Sequence, residues 1–202
     1  MSEVERFRLF IAVTIPSEVK ARIAETQTEL RRVLADRAIR WTRREQFHLT
    51  LKFLGDVDAS RVEALGEAIR DACRGFGALP LRAGRVGCFP DQRHPRVVWV
   101  GVRDQAEHLA RLQGAVEVAT REYTLEAAGE RFAGHVTVAR LKGIKRAEAE
   151  ALARVVTGLA EREFGQWTAY QVELMRSELL PEGARHSTLA SFALTGGLVV
   201  LA

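Results

Sequence analysis

Two short stretches of this 202-residue chain set a histidine and a threonine two residues apart: 46-QFHLTLKFLG-55 and 133-AGHVTVARLKG-143. Successive residues of a strand face opposite sides of its sheet. On that reading Phe47, Leu49, Leu51 and Phe53 form an apolar face, and His48, Thr50 and Lys52 form the other. In the second stretch Val136 and Val138 are the apolar side, while His135 and Thr137 share the opposite one. A histidine that only fills a core sits with the apolar set, and neither of these does. One such histidine means little. Two, each with its threonine and each followed by a helical pattern, point to shared chemistry.

Several chemistries lack their residues. Two histidines need a third ligand to hold zinc, and no His-x-His, His-x-x-Glu-His or His-Glu-x-x-His spacing occurs. A serine nucleophile lacks its Gly-x-Ser-x-Gly elbow, and no glycine-rich phosphate loop is present. General acid–base chemistry without metal or cofactor remains. Imidazole titrates near neutrality, so one ring can be neutral while the other is charged. In-line displacement at phosphorus uses such a pair, a base activating the attacker and an acid protonating the departing oxygen. Threonine hydroxyls on the same faces can donate to phosphate oxygens. His94, His108 and His186 share no such context and receive no role.

Around these stretches the pattern predicts a strand over 7–16, a helix over 18–36 capped by Ser17, a strand over 47–54 and a helix over 59–74. Strands near 79–88 and 96–103 and a helix near 105–121 follow, then strand 135–141, helix 146–160 and strands near 168–176 and 187–195. Strands and helices mix without regular βαβ alternation, which implies an α+β fold of largely antiparallel sheets. The units 47–74 and 135–160 look like internal halves. No Pro/Gly/Ser-rich linker divides the chain, so residues 1–202 are expected to form a single domain.

Composition sets bounds. No apolar run approaches the roughly 18 residues of a membrane span, and the acidic lead of MSEVERFRLFIAVTIP is unlike a signal peptide, so a cytoplasmic protein is expected. Cys73 and Cys88 form neither a ligand pattern nor a disulfide framework. The net charge is a mild +4, but 26 of the 30 basic residues are arginine. Arginine forks suit phosphate, and GC-rich coding produces the same bias. Six arginines (31, 32, 37, 40, 43 and 44) precede the first motif against one acid, Asp36. They could steer a polyanion or complement a helix dipole.

With 9-LFIAVTIP-16, 95-PRVVWVGV-102 and 174-LMRSELLPEGARHSTLASFAL-194, the paired motifs resemble the two-histidine phosphoesterases. The likeness is to their bacterial RNA 2′,3′-cyclic phosphodiesterase branch, historically called 2′–5′ RNA ligase, and it runs along nearly the whole chain. It implies a bilobal fold of two pseudo-symmetric lobes with helices outside and an active-site cleft between them. It also implies metal-free hydrolysis of RNA-terminal 2′,3′-cyclic phosphate to a 2′-phosphate, the RNA being a tRNA fragment or an oligonucleotide. A monomer without an obligate protein partner is expected. Carried over, His48 is the proton donor and His135 the acceptor, Thr50 and Thr137 hold phosphate oxygens, Arg140 joins them, and Phe10 stacks a base. Strict alternation points Arg140 toward the core.

Three positions depart from the family pattern: Gly134 replaces the usual proline, Glu130 with Arg131 beside it stands at an arginine position, and Thr14 replaces an aspartate. The alternatives are RNA end-joining through a 2′–5′ bond and a non-catalytic module binding RNA ends or nucleotides. Both motifs being intact argues against the latter.

Overall fold

The computed structural model describes residues 5–34, 39–124, 132–181 and 183–196. Four strands form one antiparallel sheet: β1 (Arg6–Thr14), β3 (His48–Asp58), β8 (Gln171–Leu180) and β9 (Gly183–Ala193), in the order β3-β1-β8-β9. Five form the other, in the order β2-β6-β5-β4-β7: β2 (Ile39–Trp41), β4 (Leu79–Phe89), β5 (Val97–Arg103), β6 (His135–Leu141) and β7 (Glu163–Ala169). Every described strand pair is antiparallel. The α+β, two-lobed architecture is as expected, with one motif strand in each sheet.

The lobes are related element by element. β3 pairs with β1 as β6 pairs with β5. Helices α2 (Val62–Cys73) and α4 (Arg146–Gly158) follow the motif strands and pack on their own lobes. Helices α1 (Ser17–Arg31) and α3 (His108–Ala119) exchange: α1 follows β1 yet packs on the five-stranded sheet, and α3 follows β5 yet packs on the four-stranded one. Each lobe's core is thus closed by the other's helix, and buried residues of both sheets join in one apolar cluster. No described helix is long and apolar enough to cross a membrane.

Some boundaries differ from the sequence reading. Helix α1 begins at Ser17 with Pro16 at its N-cap, and no side chain caps it. Where one strand near 168–176 is expected there are two, β7 and β8, separated by Tyr170. Strand β2 was not expected, because three residues carry no readable period. Arg37, Glu130 and Arg131 lie outside the described residues.

Candidate active site

Strands β3 and β6 meet where the two sheets come together. From His48 to Leu54, and again from His135 to Leu141, residues run half-buried, buried, half-buried, buried, buried, exposed, buried. Two consecutive buried residues break a period of two, and a bulge in each strand is the cause. Ile11 faces Lys52 while Ala12 faces Thr50, leaving Leu51 without a partner. Val98 faces Ala139 while Trp99 faces Thr137, leaving Val138 without one. Each bulge falls three residues past its histidine and turns the following residues over.

The bulges change which side chains meet. Lys52, expected beside Thr50, is buried instead, and its Nζ donates to Glu117 Oε1 at 2.8 Å. Phe53 takes its place on the cleft side and is 51% exposed. Arg140 is likewise exposed and lines the cleft with Thr137, so the strand's bulge removes the conflict with strict alternation. The equivalent position, five past each histidine, thus carries an aromatic ring in one lobe and a guanidinium in the other.

The second bulge is anchored from α1. Gln27, buried, donates from Nε2 to Thr42 O at 2.7 Å and to Val138 O at 2.9 Å. Thr42 N also donates to Val138 O, at 3.0 Å. Replacing Gln27 by leucine keeps the bulk and removes both donations, leaving Thr42 O against an apolar group. The expected loss of stability is about 1–3 kcal/mol in urea denaturation, the usual cost of an orphaned buried polar group. An unchanged midpoint would mean that these bonds do not hold the bulge.

Both histidines are held alike. His48 Nδ1 lies 2.7 Å from Gln46 O, and His135 Nδ1 lies 2.8 Å from Ala133 O, each carbonyl two residues back. A carbonyl only accepts, so each Nδ1 carries the hydrogen and each Nε2 is left to exchange a proton. Gln46 is itself fixed, its amide donating to Ala184 O and accepting from Arg43 N. Burial pushes the His48 ring down to about 4, further helped by repulsion from His186, Lys20 and His135 and opposed by the bond to Gln46. Burial and then Arg140 lower His135 as well, against the bond to Ala133. Both rings are therefore neutral at pH 7 in the free protein. Thr14 lies directly opposite His48 in the β1–β3 register, so no carboxylate occupies that neighbouring position to favour the charged ring.

A cleft of about 940 Å³ is lined by His48, Thr50, Thr137 and Arg140, together with Phe10, Phe53 and His186. His135 shares the face of Thr137 but is not among the lining residues; its ring packs edge-on to Phe89 at 5.0 Å. Neither threonine hydroxyl has a hydrogen-bond partner among the described residues. Phe10 is only 3% exposed, covered by His48 at 4.8 Å and His186 at 5.0 Å. It therefore backs the histidines, and Phe53, 6.1 Å from it, presents the open aromatic surface. Among the described residues no three His, Cys, Asp or Glu side chains are grouped to hold a metal ion.

His186 was passed over in the sequence. It stands edge-on to His48 at 5.5 Å, and it belongs to a third His-x-Thr pattern, 186-HST-188. That pattern was the available signal. The upstream arginines divide: Arg40 and Arg43 line the cleft, Arg31 lies over the Trp41 ring at 4.3 Å, and Arg44 donates to Ser17 O at 3.0 Å. Gly134 has a local reason. A Cβ there would sit 2.5 Å from Val102 O, where the backbones meet in the bond Val102 N–H to Gly134 O.

Comparison with known proteins gives concordant results. A family model described as LigT like Phosphoesterase matches twice, over residues 13–99 and 100–186, each match holding one of the paired motifs. A Methanothermobacter thermautotrophicus protein named RNA 2′,3′-cyclic phosphodiesterase is 29% identical over 189 residues, covering 94% of this chain and 100% of that one. A Thermus thermophilus protein of the same name is 32% identical over 198 residues, covering 94% and 91%. The crystal structure of a Thermus thermophilus protein superposes with a TM-score of 0.75 at 29% identity, over 94% of this chain and 98% of its own. E. coli LigT in complex with 3′-AMP gives a TM-score of 0.73 at 22% identity over 95% and 99%, a likeness of fold.

Proposed function

The chain belongs to the LigT-like phosphoesterase family, and on that premise we propose that it is an RNA 2′,3′-cyclic phosphodiesterase acting as one two-lobed unit. It hydrolyses the terminal cyclic phosphate of an RNA to a 2′-phosphate. Water attacks phosphorus as His135 Nε2 takes its proton. The P–O3′ bond breaks, and the departing O3′ takes a proton from His48 Nε2. Thr50 and Thr137 donate to the non-bridging oxygens, and Arg140 balances their charge. Phe10 supports the His48 ring, while Phe53 offers a face on which the terminal base stacks. No metal or cofactor enters, because both proton transfers belong to imidazoles.

The observation that carries this reading is the matched treatment of two histidines: the same Nδ1 bond, threonine offset, burial and bulge. A core or surface histidine has no need of such repetition. The relatives' names support a cyclic-phosphate RNA end as the substrate, and the cleft's arginines and aromatic ring suit a nucleotide phosphate.

The pH dependence tests it. Productive enzyme needs His135 neutral and His48 charged. Below the lower pKa both rings are charged and the base is lost; above the higher one both are neutral and the acid is lost. Both free-enzyme values are lowered, so the bell of kcat/KM should lie on the acid side of about pH 6.5 and fall through neutrality. This displaces the limbs that unperturbed imidazoles would set around neutrality. A bound phosphate anion favours the charged rings, so the bell of kcat should lie at higher pH than that of kcat/KM. A flat kcat/KM from about pH 5 to 9 would remove both imidazoles from the mechanism.

A further inference from the structure

The cleft holds more positive charge than one cyclic phosphate monoanion requires. Arg8, Arg40, Arg43 and Arg140 line it, and no Asp or Glu does among the described residues. Arg40 and Arg140 are direct cross-strand partners, since β2 pairs with β6 in the register Arg40↔Arg140. Directly opposed residues of an antiparallel pair have Cα atoms about 4.5–5.5 Å apart, and like charges there are destabilising. Neither guanidinium has an acidic partner among the described residues. Elsewhere this chain pairs its arginines readily: Arg6 with Asp58, Arg103 with Glu163, Arg185 with Glu178. An uncompensated pair on a cleft wall is the arrangement expected where the counter-charge arrives with the ligand.

We propose that Arg40 binds a second phosphate, the phosphodiester immediately 5′ of the terminal nucleotide, so that the preferred substrate is an oligonucleotide and not a cyclic mononucleotide. This rests on the reading that the cleft processes RNA ends. Arg140, five past His135 and on the face of Thr137, takes the reacting phosphate. Arg40, across from it on the edge strand β2, faces a like charge and is assigned a separate anion. Arg8, on β1, lines the cleft on the side of Phe53, because β1 pairs with β3. The cleft therefore offers an aromatic face for the last base and, across from it, two guanidinium forks for two successive phosphates.

The test compares a trinucleotide and a nucleoside, each ending in a 2′,3′-cyclic phosphate, with the wild type, Arg40→Gln and Arg140→Gln. Arg40→Gln should lower kcat/KM on the trinucleotide by about ten-fold, roughly five-fold or more beyond its effect on the mononucleotide, the scale of one lost charge-assisted contact. Its plot of log kcat/KM against log salt for the trinucleotide should be shallower by about 0.7, one phosphate contact on a single strand. Arg140→Gln should fall on both substrates alike. Arg40→Lys, which keeps the charge without the fork, should lie between wild type and Arg40→Gln. Equal losses on both substrates would move Arg40 to the reacting phosphate, and no loss on the trinucleotide would remove it from binding; either overturns the proposal. If the wild type turns over neither substrate, the enzymatic reading fails. Anisotropy with a labelled trinucleotide bearing a 2′-phosphate then decides the subsite alone: equal affinity of wild type and Arg40→Gln would sink it.

Discussion

His48→Ala and His135→Ala should each lower kcat/KM by about 10²–10⁴-fold on a cyclic-phosphate-ended RNA, the range for one positioned proton-transfer group. Both variants should stay folded, because each ring is half-buried and its strand's core side is carried by Leu49 and Leu51 or Val136 and Val138. The double variant should be far less than multiplicatively worse, since on this account the acid has no work without the base. The roles separate with a cyclic substrate carrying sulfur in place of O3′. A thiolate departs without a proton, so this substrate restores His48→Ala and not His135→Ala. Rescue of His135→Ala instead would exchange acid and base while leaving the site intact. Near-full turnover by either folded single variant would dismiss that ring from the chemistry.

An RNA ending in a 2′,3′-cyclic phosphate should be consumed, and a DNA strand of the same sequence should be inert. The 2′-oxygen is part of the reacting ring, so a deoxyribose end cannot form the substrate at all. The difference is therefore between turnover and none, larger than any side-chain substitution produces. Electrophoresis of both strands after long incubation reads it directly. Comparable cleavage of DNA phosphodiester bonds would describe a general nuclease, for which a site built around a terminal ring has no use.

The sequence showed the motif strands and the faces they turn toward a cleft, because His48, Thr50, His135 and Thr137 precede the bulges and obey a period of two. Beyond the bulges that period misleads. Leu51 and Val138 are ordinary strand residues, so nothing in their type announces that the chain slips there, and Lys52, Phe53 and Arg140 were all turned the wrong way. Lys52 shows the consequence most clearly: a residue read as solvent-facing is a buried cation bonded to Glu117. His186 was missed for another reason. Strand β9 is exposed or half-buried along nearly its whole length, with Phe192 its one buried residue, so no apolar face marks the side that looks into the cleft. The exchange of α1 and α3 between the lobes was also unreadable, since an amphipathic helix records how much of it is buried and not which sheet buries it.

Everything proposed for this cleft depends on two imidazoles opening a 2′,3′-cyclic phosphate at O3′ by proton transfer alone. Incubation with a cyclic-phosphate-ended oligonucleotide in excess chelator, with the position of the product's phosphate assigned by phosphorus NMR, reaches that step itself. Turnover should match the rate seen without chelator, and a 2′-phosphate should be the sole product, if His48 protonates O3′ and no metal takes part as proposed. A 3′-phosphate product, or activity abolished by the chelator and restored by zinc, manganese or magnesium, would contradict it.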